Sequence, residues 1–255
     1  MVLSSDKTNI SALVGDQCAH PLLLGLANIH MSTCLKFSSE AFLLTALLLI
    51  PKFIHKLACI HGLLTDQIFH KSLDIVLQPL KDATCFRIMM DDPLGNLWFC
   101  FTPLASYIVD TLEGCLISGV GGKTSPITTA MYKHFGDPYQ HPLRTKSHTL
   151  RQLRRIKVNP DHFRQYLTAT QKFHLNDIAS LFFRDWYMAE PSRFLTLELL
   201  HEWYKKIWDH VVQWAINIVG AEELYFCFSV LQPSIGYHHF KAGISHLKKV
   251  TGRTQ

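Results

Sequence analysis

The sequence contains no hydrophobic run long enough to cross a membrane. Its longest apolar stretch, residues 41–50, is interrupted by Thr45 and followed by Pro51, whereas a transmembrane helix needs about 20 apolar residues. The first six residues are too few and too polar to form a signal peptide. We therefore expect no membrane-spanning segment, and we interpret residues 41–50 as a buried helix.

The sequence also lacks any C-x-x-C pair, and its seven cysteines are scattered along the chain. An odd number of cysteines argues against a disulfide framework, and the missing C-x-x-C pair argues against a structural zinc site. Reduced thiols are typical of cytosolic and nuclear proteins. We therefore expect free thiols and one of these two compartments.

Charged residues are sparse, at 18% of the chain, with a net charge of +5. This mild positive excess is compatible with nucleic-acid binding and equally with an ordinary, slightly basic globular protein. Hydrophobic residues make up 48% of the 255 residues. The chain can therefore bury a sizeable core in one large domain or two small ones, which excludes a disordered type.

Short apolar runs alternate with amphipathic segments, which favours an α/β fold. Strands are predicted at residues 2–5, 21–28, 104–109 and 116–120, a hairpin at 88–101, and helices at 41–50, 65–80, 197–219 and 238–250. Residues 121–193 are rich in Gly, Pro, His and basic residues, which predicts a largely helical insertion with exposed loops. Because chains rarely begin inside a central strand, we expect the N-terminus to be incomplete.

Three carboxylates stand at the ends or beginnings of these elements. Asp110 ends the apolar run 104–109, Asp6 follows the first strand, and Glu198 opens the helix at 197–219. Open α/β sheets carry their chemistry at the carboxyl ends of strands, and such carboxylates can form a two-metal phosphoryl-transfer site. Two other interpretations stay open: each Asp begins a turn, and Glu198 interacts with the helix dipole or with His201 one turn on.

The densest group of basic residues follows in the insertion. It consists of Arg144, Lys146, Arg151, Arg154, Arg155 and Lys157. Nucleic-acid phosphates would explain this patch, and so would a solvated helix face. The glycine-rich residues 119–125 do not form a P-loop, because Ile117 stands where that motif needs glycine. We therefore expect no nucleotide cofactor there.

Longer blocks of the sequence resemble Plavaka-type fungal DNA transposases, which are relatives of the CACTA elements. The blocks are residues 4–11 (SSDKTNIS), 20–29 (HPLLLGLANI), 101–113 (FTPLASYIVDTLE), 135–138 (FGDP), 185–192 (DWYMAEPS), 200–203 (LHEW), 208–210 (WDH), 228–233 (FSVLQP) and 239–248 (HFKAGISHLK). They are spread over essentially the whole chain, so the resemblance covers all of it.

The resemblance implies an RNase H-like mixed sheet flanked by helices, with a largely helical insertion and a helical C-terminus. It predicts a first part of the core over residues 1–120, the insertion over 121–195, and C-terminal helices that complete the core over 196–255. Its carboxylate triad would be Asp6, Asp110 and Glu198, with Mg²⁺ or Mn²⁺ as the cofactor. The implied partner is DNA, the implied location is the nucleus, and a homo-oligomer is left open.

The chain departs from that family pattern in one place after the second acid. Related transposases often carry a C-x-x-C pair there, whereas this chain has residues 123–126 (KTSP), so we expect that the zinc is lost. The hypothesis is a truncated, degenerate transposase derivative that descends from an enzyme of metal-dependent DNA strand cleavage and transfer. The alternative is a non-catalytic DNA-binding remnant that acts through the basic residues 144–157.

Overall fold

The computed structural model describes residues 1–11, 17–54, 58–198, 200–232 and 235. The chain divides into two compact units, Met1–Leu197 and Glu198–Gln255. The first unit is a mixed α/β structure, and the described residues of the second unit are mainly helical. No helix in the described part of the chain is long and apolar enough to cross a membrane.

A mixed sheet of five described strands forms the centre of the first unit, in the spatial order β5-β4-β1-β8-β9. The strands are β1 (Val2–Ser5), β4 (Pro21–Gly25), β5 (Phe42–Leu47), β8 (Ser106–Val109) and β9 (Leu195–Leu197). The β1, β4 and β5 strands pair antiparallel, whereas β8 runs parallel to β1 and β9 runs parallel to β8. The sheet therefore has an antiparallel half and a parallel half that share β1.

Two small two-stranded sheets and several helices surround this sheet. The small sheets are β2 (Thr8–Asn9) with β3 (Cys18–Ala19), and β6 (Ile88–Asp91) with β7 (Leu97–Cys100). The helices are α1 (Met31–Cys34), α2 (Ala58–Val76), α3 (Gln78–Phe86), α4 (Thr111–Ser118), α5 (Lys146–Arg155), α6 (Phe163–Gln171) and α7 (Pro191–Phe194). Short 3₁₀ turns lie at Phe37–Ser39 and Tyr132–His134.

The core of the first unit forms because alternate residues of the central strands are buried together. Leu3 of β1 and Tyr107 of β8 are 0% exposed, and they belong to one hydrophobic cluster with Leu73 of α2. Residues 178–195 add several large side chains to the same cluster, including the fully buried Phe182 and Trp186. Segments far apart in the sequence therefore fix the position of β1 and β8.

The expected helix at residues 41–50 is wrong, because β5 occupies most of this stretch and pairs antiparallel with β4. Its side chains are not buried either, since Leu43 and Leu44 are each 59% exposed. A short apolar run bounded by turn residues is compatible with either a helix or a strand. Residues 42–47 form a strand because their backbone groups can pair with those of β4, which lies elsewhere in the sequence.

The expected strand at residues 116–120 is also wrong, because this stretch forms the second half of α4 and its cap. Asp110 caps the N-terminus of α4 through a hydrogen bond from the Glu113 amide. Gly119 ends the helix in the left-handed conformation at φ 73°. Asp before a helix and Gly after it are the usual boundary residues, and they outweigh the strand-like run Leu-Ile-Ser-Gly-Val.

The remaining expectations agree with the structure in part. The hairpin at 88–101 is confirmed as β6 and β7, and the strand before Asp110 is confirmed as β8. The helix expected at 65–80 is longer and is divided after Val76, before Pro79 in the first turn of α3. Proline fits the first turn of a helix and not its interior, so a second helix begins there.

The described part of the second unit consists of consecutive helical segments. These are the π-helical segments Leu200–Lys205 and Ile207–Val212, followed by α8 (Gln213–Val219) and α9 (Ala221–Val230). The helix expected at 197–219 is therefore only partly regular α-helix, and Leu197 belongs to β9 instead. The helix expected at 238–250 lies outside the described residues.

Candidate functional site

Two of the three predicted acids lie at the ends of adjacent strands. The strands β1 and β8 are parallel, and Ser4 pairs with Ile108. The carboxyl ends of both strands, at Ser5 and Val109, therefore lie at the same edge of the sheet. Asp6 directly follows β1, and Asp110 directly follows β8. Both residues line one pocket, so the structure brings these two acids into one site.

The pocket has a volume of about 490 Å³. Besides the two aspartates, its polar lining includes Lys7 and Asp66, and its apolar lining includes Phe69. Asp6 and Lys7 are exposed and Asp110 is half-buried, so solutes can reach the strand ends. Such a site, with convergent polar groups beside apolar walls, is typical of a ligand pocket.

The Asp110 carboxylate has a structural task as well as its place in the pocket. Its Oδ1 atom accepts a hydrogen bond of 2.7 Å from the amide of Glu113 and thereby caps α4. Within the described residues, Oδ2 has no hydrogen-bond partner, and it therefore remains available to a ligand. The interpretation that Asp110 begins a turn and the interpretation that it binds a ligand are thus compatible.

A hydrogen-bonded chain of four side chains lies beside the two aspartates. The Tyr107 hydroxyl lies 2.9 Å from Ser5 Oγ, and Ser5 donates to Glu113 Oε1. The same Oε1 atom lies 3.1 Å from His20 Nε2. The His20 and Glu113 side chains are each only 10% exposed, and both residues line the pocket. This chain of contacts therefore joins β1, β8, α4 and the residue before β4 at the pocket wall.

A further acid in the pocket wall belongs to α2. Burial raises the pKa of the Asp66 carboxyl to about 6, and the nearby Asp177 carboxylate adds to the rise. Burial also raises the pKa of Asp177, although Thr170 donates a hydrogen bond to it. Asp66 is therefore a carboxyl group that holds its proton to a higher pH than an ordinary aspartate does.

The third predicted acid, Glu198, directly follows β9 and begins the second unit. Its catalytic role stays a prediction, and the side chain of its expected neighbour His201 lies outside the described residues. No three His, Cys, Asp or Glu side chains in the described part of the chain are grouped closely enough to hold a metal ion together. A cation bound by Asp6 and Asp110 would need further oxygen ligands. Mg²⁺ commonly takes these from water and substrate phosphate, so the two aspartates fit such an ion.

The predicted basic residues do not share one environment. Arg144 is only 3% exposed, and its Nε donates to the backbone carbonyls of Ser125 and Thr128. Burial lowers the pKa of Arg144, and that of the half-buried Lys146, whose Nζ donates to the Trp186 carbonyl. Both side chains are therefore held by protein atoms, and we leave Arg144 out of any DNA-contact surface.

The other four predicted basic residues are exposed. They are Arg151, Arg154 and Arg155 of α5, and Lys157 just beyond it. The opposite side of α5 packs inward, because Thr149 is buried and Leu150 and Leu153 contact the core. The exposed cations therefore project to solvent from an anchored helix.

Sequence reasoning did not find His20, Glu113 or Asp66 as pocket residues. One local signal existed for Glu113, since Asp110-x-x-Glu113 before an apolar run is a helix-start pattern. That pattern predicts α4 and would direct Glu113 back toward the strand ends. No local signal exists for His20 or Asp66, because their place depends on the pairing of β4 and on the packing of α2.

A family model described as Plavaka transposase matches residues 1–215 of the chain. This range includes β1, β8, β9 and every pocket residue named above. Neither the search of curated proteins nor the search of solved structures found a match.

Proposed function

The chain belongs to the Plavaka transposase family, and from this premise we propose that its pocket binds and cleaves a phosphodiester of DNA. The protein is thus transposase-derived, and DNA is the partner that this family implies. One observation carries the proposal: Asp6 and Asp110 lie at the carboxyl ends of adjacent parallel strands and line the same pocket. Ligands of open sheets bind at such strand ends.

We further propose that the fold is RNase H-like. In chain order, the five strands of the main sheet are β1, β4, β5, β8 and β9, so their spatial order is third, second, first, fourth, fifth. The first three are antiparallel neighbours, and the last two run parallel to the first. This arrangement supports the expectation from the sequence, and it leaves the ends of β1, β8 and β9 at one edge of the sheet.

Asp6 and Asp110 would hold a divalent cation, Mg²⁺ or Mn²⁺, with Glu198 after β9 as the proposed third acid. When bound, the cation supplies stabilisation of the negative charge that develops on the phosphate oxygens. The residues of this chain orient the substrate. Lys7 lies in the pocket lining beside Asp6, where an ammonium group can contact a phosphate oxygen.

Plasmid nicking tests this proposal. We expect the wild-type chain to convert supercoiled plasmid to nicked circles when Mg²⁺ or Mn²⁺ is present, and we expect Asp110→Asn to abolish the conversion. Asparagine is as good an N-cap as aspartate, so Asp110→Asn should preserve α4 and the melting temperature. Asp161→Asn, which changes an exposed carboxylate outside the pocket, is the matched control. Equal nicking by Asp110→Asn and the wild type would refute the proposed site.

A second function is favoured by the exposed cations of α5. We propose that Arg151, Arg154 and Arg155 contact DNA phosphates, which would allow the protein to act as a DNA-binding remnant even without cleavage. Phosphate contacts release counterions, so binding to a duplex should weaken steeply with salt. Fluorescence anisotropy at several salt concentrations measures this slope. Binding that persists in Asp110→Asn but fails in Arg151→Ala/Arg154→Ala, with no nicking by the wild type, would establish the degenerate remnant.

A further inference from the structure

Within the proposed function, on which this inference rests, we propose that His20 accepts the proton of the water that attacks the phosphodiester. Glu113 holds the histidine ring in the orientation that this task needs. The inference depends on the geometry of the pocket wall, where His20 and Glu113 form a hydrogen-bonded pair next to the two aspartates.

The hydrogen bonds determine which nitrogen of His20 carries the hydrogen. Ser5 donates its hydroxyl hydrogen to Glu113 Oε1, so the hydrogen between Tyr107 and Ser5 must come from Tyr107. Glu113 Oε1 accepts, so His20 Nε2 must donate to it across 3.1 Å. In the neutral ring, the hydrogen is then on Nε2 and the lone pair is on Nδ1.

The Nδ1 atom of His20 has no hydrogen-bond partner within the described residues, and it is not among their buried unpaired polar atoms. Its lone pair is therefore not used by another group of the described residues and can accept a proton. The ring is also fixed in plane, because Phe69 stacks on it with centroids 5.4 Å apart and an angle of 25°. A base that is oriented by a carboxylate is the arrangement that general-base catalysis uses.

The chain of contacts connects His20 to both aspartates. Ser5 is the residue directly before Asp6, and the Glu113 amide donates to Asp110 Oδ1 at 2.7 Å. The charged and titratable groups that line the pocket together with His20 are Asp6, Lys7, Asp66, Asp110, Glu113 and Cys115. The proposed base therefore belongs to the same site as the proposed cleavage acids.

The step balances without any redox partner. The water oxygen forms a bond to phosphorus while one O–H bond breaks, and that proton goes to His20 Nδ1. The phosphorus bond to the leaving 3′-oxygen breaks, and the leaving oxygen takes a proton from solvent. His20 then returns its proton to solvent, and the ring regains its neutral form.

The test measures the nicking rate of supercoiled plasmid with Mn²⁺ from pH 5.5 to pH 8.5. His20→Gln keeps an N–H donor toward Glu113 but has no ring nitrogen to accept a proton. We expect it to slow nicking by about 100-fold or more at pH 8, in line with the usual contribution of a general base. The pH dependence of the residual rate of His20→Gln should also differ from that of the wild type, because only the wild type has a ring nitrogen that can accept a proton.

A matched control is His141→Gln, which changes another histidine paired to a carboxylate. His141 Nε2 lies 2.9 Å from Asp137 Oδ2, outside the pocket. We expect this variant to keep the wild-type rate and the wild-type dependence on pH. We also expect added imidazole to restore nicking in His20→Ala, because the free base can replace the missing ring.

The outcomes separate this inference from the proposed function. If nicking requires Asp110 but His20→Gln keeps the wild-type rate and pH dependence, the role of His20 is refuted and the proposed function stands. If imidazole does not raise the nicking rate of His20→Ala under conditions in which the wild type nicks, the role of His20 is refuted as well. If the wild type does not nick DNA at any pH, both the proposed function and this role are refuted.

Discussion

His70 makes stability of the first unit depend on pH in a direction that the structure defines. The ring is 1% exposed, its Nδ1 accepts a hydrogen bond from the Phe182 amide, and its Nε2 donates to the Leu116 carbonyl. Burial lowers the pKa of His70 from 6.5 to about 4. The neutral ring therefore joins α2 to α4 and to the segment that contains Phe182, and protonation at Nδ1 would oppose the Phe182 N–H.

The sign follows from the lowered pKa. Between pH 6.5 and pH 4 the unfolded chain binds a proton at His70 that the folded chain does not bind. The neutral ring therefore makes its full contribution to the free energy of unfolding above pH 6.5, and this contribution is lost as pH falls toward 4. A pKa difference of about 2.5, at about 1.4 kcal/mol for each unit, corresponds to roughly 3 kcal/mol.

The assay is urea unfolding of the wild type and His70→Asn at several pH values from 7.5 to 4. Asparagine keeps an acceptor for the Phe182 amide but does not titrate. We expect the variant to be less stable than the wild type at pH 7, because the donor to Leu116 is lost and a cavity remains, by roughly 1–3 kcal/mol. The difference should shrink as pH falls, since only the wild type loses the His70 contribution. A difference that stays constant over this range would refute the reasoning.

Two further predictions concern other positions of the first unit. Gly119→Ala should lower the free energy of unfolding by about 1–3 kcal/mol. The reason is that Gly119 has φ +73° and that a Cβ there would lie 2.6 Å from Leu181 Cδ2. Thermal melting measures this loss, and an unchanged melting temperature would contradict the prediction. Asp66→Asn should stabilise the protein relative to the wild type by more at pH 8 than at pH 5. The pKa of the Asp66 carboxyl is raised to about 6, so the wild type loses stability as pH rises from 3.8 through that value. Unfolding curves of both proteins at the two pH values measure the difference in free energy of unfolding, and an equal difference at both would contradict the prediction.

The place of Asp6 and Asp110 could be predicted because the relevant signal is local. Each aspartate follows a short apolar run, and strand ends in α/β sheets are where ligands bind. That the two strands are adjacent needed the resemblance to a family or the structure itself. Pairing between residues 2–5 and 106–109 is a contact across most of a domain, and no periodicity within either strand encodes it.

The two wrong elements failed for opposite physical reasons. Residues 41–50 form a strand because β4 offers backbone partners, which is a distant cause. Residues 116–120 belong to a helix for a local cause, since Asp110 and Gly119 are its boundary residues. The boundary signals were therefore in the sequence, and the apolar run between them was given too much weight.

The burial of Arg144 could not be read from the sequence either. In sequence it belongs to the same basic patch as Arg151, but its side chain is buried and its Nε donates to the backbone carbonyls of Ser125 and Thr128. Charge clustering along a chain does not distinguish a cation that binds backbone carbonyls from one that faces solvent. The contacts of each side chain make that distinction, and they leave Arg151, Arg154, Arg155 and Lys157 as the exposed set.

Cation binding tests most directly the claim that Asp6 and Asp110 form one site. Mn²⁺ binding can be followed by electron paramagnetic resonance of the wild type, Asp6→Asn, Asp110→Asn and the control Asp161→Asn, without any need for cleavage activity. If the two aspartates share a cation, each of their variants should weaken Mn²⁺ binding by about 10-fold or more, equivalent to about 1.4 kcal/mol, while the control binds as the wild type does. Equal Mn²⁺ affinity in all four proteins would contradict the claim.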